Sequence, residues 1–77
     1  MRKELLSEHD LDQLRQALVA GREISLTRSL GELTMTVSTS RGTPAWGCGM
    51  LIRLEQRRGH VYSTQYFQSV EEMMRYI

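Results

Sequence analysis

The chain has 77 residues, ten of them Lys or Arg and nine Asp or Glu, for a formal net charge of +1. Such a length makes one small domain over residues 1–77, burying only about 60–65% of the surface its unfolded form exposes. With 40% hydrophobic and 25% charged residues, six Gly and one Pro, the composition excludes disorder, collagen-like repeats and low-complexity scaffolds.

The first element is a helix over residues 7–20. Ser7 reads as its N-cap, with Asp10 three residues on to complete a capping box, and Leu6 and Leu11 stand at the spacing of a hydrophobic staple. Leu11, Leu14 and Leu18 recur with Ala17 on one narrow apolar stripe. Glu8, Asp10 and Asp12 suit the positive end of the helix dipole, and Gly21 supplies a permissive residue at the end.

From residue 22 the period changes from 3.6 to 2. Ile24, Leu26 and Leu30 alternate with Ser25, Thr27 and Ser29, and Leu33, Met35 and Val37 alternate with Thr34, Thr36 and Ser38. Gly31-Glu32 suits a two-residue hairpin turn of type II′. That register pairs Leu30 with Leu33 and Leu26 with Val37, so the apolar residues share a face. Arg28 falls on that apolar side opposite Met35, with its head expected to reach solvent.

Residues 40–49 (Ser-Arg-Gly-Thr-Pro-Ala-Trp-Gly-Cys-Gly) read as a loop, because three Gly and one Pro disfavour regular structure. Met50, Ile52 and Leu54 then alternate with Leu51, Arg53 and Glu55, and a fourth strand runs from Val61 to Phe67. If Arg58-Gly59 is the turn, Arg57 faces His60, Glu55 faces Tyr62, Arg53 faces Thr64 and Leu51 faces Tyr66, leaving Val61 and Phe67 for the core. A three-residue loop would send both tyrosines inward instead. Ser69-Val70-Glu71-Glu72 is a second capping box, opening a short helix that places Val70, Met73, Met74 and Ile77 on one face and must dock on the sheet. The expected fold is α+β: an N-terminal helix, a four-stranded antiparallel sheet made of two hairpins, and a short C-terminal helix.

The chemistry-bearing residues are few. Cys48 lies between glycines, with neither a lowered pKa nor an orienting partner visible at this spacing. His9, His60 and Cys48 fall in separate elements without metal-ligand spacing. No enzyme, cofactor, metal or small-molecule substrate is therefore expected. A single cysteine forms no internal disulfide, no apolar run approaches the roughly 20 residues of a membrane span, and the N-terminus lacks a signal-peptide core. The expected setting is cytoplasmic, away from membranes.

Two surfaces remain. Residues 41–60 hold four arginines and one acid, and Arg53, Arg57 and Arg58 with Tyr62 and Tyr66 compose a surface able to hold phosphates and stack bases. The uncharged hydroxyl face of Ser25, Thr27, Ser29, Thr34, Thr36 and Ser38 suits docking to another protein or to a second copy. Arg41 and Trp46, in or beside the loop, are of the residue types that dominate interface hot spots.

From Trp46 through the last two strands to Phe67-Gln68-Ser69-Val70-Glu71-Glu72, the chain is similar in outline to sheet-plus-helix DNA readers of the AP2 and integrase-arm type. Those follow an arginine-bearing sheet with a comparable helix start, but the likeness carries no distinctive motif and assigns no family. In general build the chain resembles small accessory or inhibitor proteins of phages and mobile elements. The reading is a non-enzymatic, stoichiometric protein-binding module centred on Arg41 and Trp46, a regulator or inhibitor open to homodimerisation through a sheet face or edge. The alternative is a nucleic-acid-binding module using Arg53, Arg57, Arg58, Tyr62 and Tyr66.

Overall fold

A computed structural model describes residues 5–42 and 49–77 of the protein. Helix α1 (Glu8–Ala20) is followed by strands β1 (Ser25–Leu30), β2 (Leu33–Arg41), β3 (Met50–Arg58) and β4 (Val61–Phe67), and by helix α2 (Val70–Tyr76). The strands form one antiparallel meander in the order β1-β2-β3-β4. The fold is thus α+β, with both helices on one face of the sheet. Among the described residues no helix is long and apolar enough to cross a membrane.

Turn chemistry explains the strand pairing. Gly31 and Gly59 each take a positive φ, 59° and 58°, a backbone conformation that glycine adopts without a Cβ penalty and that tight hairpins require. The first hairpin has the register its pattern dictates, Leu30 on Leu33 and Leu26 on Val37. In the second, the two turn residues are Gly59-His60 rather than Arg58-Gly59, so every pair moves by two: Arg57 faces Tyr62, Arg53 faces Tyr66 and Glu55 faces Thr64. A shift of two preserves which side chains share a face. Both tyrosines therefore stay on the helix-free side, whereas Val61, placed in the core by the sequence pattern, ends up 71% exposed.

The segment read as a loop from residue 40 is shorter. Ser40 and Arg41 complete β2 and pair with Leu51 and Met50. The Gly42 N–H then donates to the Gly49 carbonyl at 2.6 Å. A Cβ on Gly42 would stand 3.0 Å from that carbonyl and 3.1 Å from Leu51 Cδ1, which explains glycine there.

The core lies between the helices and the sheet. Leu6, Leu11 and Leu14 from the first helix and its approach, with Val70 and Met73 from the last, meet Met35, Val37, Ile52, Leu54 and Phe67. Leu6 and Leu11 are both buried in this cluster, as a hydrophobic staple requires. On α2 the cap is split: Ser69 Oγ accepts from the Glu72 N–H at 3.1 Å, but the Glu72 carboxylate reaches back to the N–H of Gln68 rather than to that of Ser69.

Polar clusters at two places, Asp10 and Thr39, fix α1 and the connection that follows it to this frame. Asp10 Oδ2 accepts from the Ser7 N–H at 3.1 Å, Ser7 Oγ accepts from the Asp10 N–H at 3.1 Å, and Asp10 Oδ1 accepts from Arg28 Nη2 at 2.9 Å. Arg28 does not simply reach for water as the sequence reading expected; its head bridges β1 to the first turn of the helix. At the other end Thr39, 2% exposed, accepts from the Ile24 N–H at 2.9 Å and donates to the Arg22 carbonyl at 2.7 Å. One hydroxyl thereby satisfies both a donor and an acceptor of the helix-to-strand connection.

Replacing Thr39 with Val leaves both of those backbone groups without their partner and should cost about 1–3 kcal/mol, read as a lower urea midpoint, whereas Thr39→Ser should retain most of the stability. The hydrogen bond from the Ser7 N–H, opposed by burial and supported by Arg28, holds the Asp10 carboxyl below its ordinary range. A lowered folded-state pKa means stability present above the unfolded value and lost as pH falls through the folded one. Asp10→Asn should therefore cost about 1–2 kcal/mol at neutral pH, and denaturation midpoints of variant and parent should converge in acid.

Candidate functional site

Period-2 alternation across four paired strands places one side chain from each strand in every row of the helix-free face. One row reads Ser29, Thr34, Arg57, Tyr62; the next Thr27, Thr36, Glu55, Thr64; the third Ser25, Ser38, Arg53, Tyr66. The face divides into two halves. The β1-β2 half is made of hydroxyls, some of which meet across the strands: Thr27 Oγ1 lies 3.3 Å from Thr36 Oγ1 and Ser29 Oγ 3.4 Å from Thr34 Oγ1. The β3-β4 half carries two arginines, one glutamate and two tyrosines. The hydroxyl surface is bordered by these charges, because β2 pairs with β3.

Glu55 organises the charged half. The Tyr62 hydroxyl donates to its carboxylate, and Arg53 forms an ion pair with it. The bond from Tyr62, with Arg53 behind it, holds the Glu55 carboxyl below its ordinary range even though burial pushes the other way. Glu55 in turn raises the pKa of Arg53. Arg57 has no acidic partner among the described residues; its Nε donates to the Gly59 carbonyl at 3.4 Å, within its own turn. Tyr62 and Tyr66 are 59% and 45% exposed. Leu51 also projects from this side, opposite Ser40, and is buried.

Of the residues singled out in the sequence for nucleic-acid contact, the structure brings together Arg53, Arg57, Tyr62 and Tyr66. It does not bring Arg58, which alternates onto the helix-side face opposite Leu33 and Val61. His60 sits in the turn, not across from Arg57. Arg41 also belongs to the helix-side face of its strand. Its guanidinium lies by Gly21, where a Cβ would meet Nη2 at 3.8 Å, close to the negative end of the α1 dipole. Trp46 and Cys48 lie outside the described residues. Glu55 is the residue that the sequence reading placed differently: it stands across from Thr64 rather than Tyr62, meets the Tyr62 hydroxyl on the diagonal and pairs with Arg53 two residues back on its own strand.

Among the described residues no group of three or more His, Cys, Asp or Glu is placed to hold a metal ion. No protein-family model matches the chain, and neither a curated protein nor a solved structure matches it.

Tyr62→Phe removes the leading donor to Glu55. The carboxyl should then titrate at higher pH, as followed by NMR of its carboxyl carbon, while Thr64→Val in the same row should leave that titration in place.

Proposed function

We propose that this protein is a non-enzymatic binding module that docks another protein on the helix-free face of its sheet and acts by stoichiometric contact. The observation that carries this reading is the electrostatic character of that face. Its Ser/Thr half bears no charge, and its other half pairs Arg53 with Glu55 and Tyr62. With Arg53, Glu55 and Arg57 as its charged groups, the face has a net charge of only +1. Polar but nearly neutral surfaces rimmed by Tyr and Arg suit protein recognition, where aromatic anchors and arginines contribute most of the affinity. Arg41 and Trp46 remain candidate contacts, with Arg41, the last residue of β2, on the helix side. A regulatory or inhibitory role in the cytoplasm is consistent with this mode of action.

A second reading rests on Arg57, which has no acidic partner among the described residues and stands across from Tyr62. That pair suits a phosphate and a stacked base. The two readings separate on salt response, since neutralising phosphates releases counterions and makes affinity fall steeply with salt.

Titration into labelled single- and double-stranded DNA and RNA at low salt should show no binding. Salt-sensitive binding abolished by joint Arg53→Glu and Arg57→Glu would overturn the protein reading in favour of nucleic acid. A photo-crosslinking residue at Thr36 should give one discrete adduct in cells that Tyr66→Ala eliminates, and the same group at Gln16 on α1 should not give that adduct.

A further inference from the structure

The helix layer stops short of one end of the sheet. There the row Leu30, Leu33, Arg58, Val61 faces the helix side, yet Leu30 is 54% and Val61 71% exposed. The last turn of α2 brings Tyr76 beside this row, its ring tilted against Phe67 with centroids 5.2 Å apart. Between them lies a groove of about 290 Å³ lined by Leu33, Gln56, Arg58, Val61, Ser63 and Tyr76.

The groove combines an apolar floor with polar groups on its walls. Gln56 is 8% exposed, and its carboxamide makes no hydrogen bond among the described residues. Since no fully enclosed side-chain polar atom is left unsatisfied there, that amide opens onto the groove. Arg58, Ser63 and Tyr76 likewise bring a guanidinium and two hydroxyls without a side-chain hydrogen bond or ion pair among the described residues. With no internal partner among the described residues, the Gln56 amide at the groove wall is left to water or to a ligand. A guanidinium without an acid beside it offers the fork that a carboxylate fits with two hydrogen bonds. Leu33 and Val61 offer a surface to a short apolar branch.

We propose that this groove binds a carboxylate carrying a short apolar group, either a free acid or the end of a peptide chain. Arg58 takes the carboxylate, Gln56 adds an amide hydrogen bond, and the apolar group lies over Leu33 and Val61. The volume is near the lower limit of small-molecule sites and is of the order of one residue. This site faces away from the open sheet surface and stands independently of the docking reading.

The test is a titration followed by amide NMR, backbone and side-chain, with isocaproate and N-acetyl-leucine as ligands and isocaproamide and N-acetyl-leucinamide as uncharged controls. Both acids should move the Gln56 carboxamide and the Ser63 and Tyr76 signals saturably, with the amides at least about tenfold weaker. Tighter binding of isocaproate would identify a free acid as the natural ligand class, and tighter binding of N-acetyl-leucine a chain end. Arg58→Gln should weaken the acids at least about tenfold while leaving the amide spectrum dispersed. Arg57→Gln, on the opposite face, should bind as the parent does. No saturable shift from either acid, equal shifts from the amides, or unchanged binding in Arg58→Gln would overturn the proposal.

Discussion

The structure depends on two tight turns. Each hairpin reverses over two residues led by a glycine of positive φ, and in a period-2 element the turn decides which side chains are dry. One residue more in the second turn would exchange the faces of one of its strands, sending Leu54 outward or Tyr62 inward. All else follows from these faces: the core of Met35, Val37, Ile52 and Leu54 beneath the helices, and the rows of hydroxyl, arginine and tyrosine above.

With the sheet fixed, α1 must find one position on it. Apolar packing is poor at specifying rotation or sliding, because a Leu stripe can settle in neighbouring grooves at similar cost. Asp10 and Thr39 remove that freedom. Asp10 belongs to the helix cap and is simultaneously held by Arg28 of β1, while Thr39 of β2 holds both sides of the connection that leads out of the helix. A displaced helix would leave a withdrawn carboxylate or two connector groups without partners. Arg15 extends the fastening to α2 through Glu71, but that pair is solvent-exposed and contributes little.

Local rules made most of this fold legible. Ser7 with Asp10 announces the start of α1, Gly21 its end, and Gly31-Glu32 the first register, because each signal acts within a few residues. The second hairpin was harder: Arg57-Arg58-Gly59-His60 admits two placements of a two-residue turn, and local chemistry does not separate them. Long-range placement decides it, with Phe67 going opposite Ile52 into the core and Val61 being left at the rim. Arg28, Thr39 and Glu55 were opaque for a similar reason. The partners of Arg28 and Thr39 lie 18 and 15 residues away, beyond any local pattern, and the diagonal meeting of Glu55 with Tyr62 depends on a register that the turn residues alone do not fix. The candidate surfaces were half legible: alternation groups Arg53, Arg57, Tyr62 and Tyr66 under either two-residue turn, but composition alone swept in Arg58.

Strand β3 gives the protein two unlike surfaces from one run of sequence. Arg53, Glu55 and Arg57 point to the open face, and Gln56 and Arg58 to the groove by Tyr76. Adjacent arginines at 57 and 58 therefore do not sum into one basic patch; the thickness of the sheet separates their side chains. This is why a cluster of positive charge in residues 41–60 yields a nearly neutral open face. Arg53 is neutralised by Glu55, Arg41 lies by the end of α1, and Arg58 turns to the helix side, leaving Arg57 as the open-face arginine without an acid among the described residues. A sheet that distributes its arginines this way is poorly suited to follow a phosphate backbone, which rewards several cations along one surface. The two proposed sites accordingly lie on opposite sides of the sheet, the docking face carrying Arg53 and Arg57 and the groove Arg58.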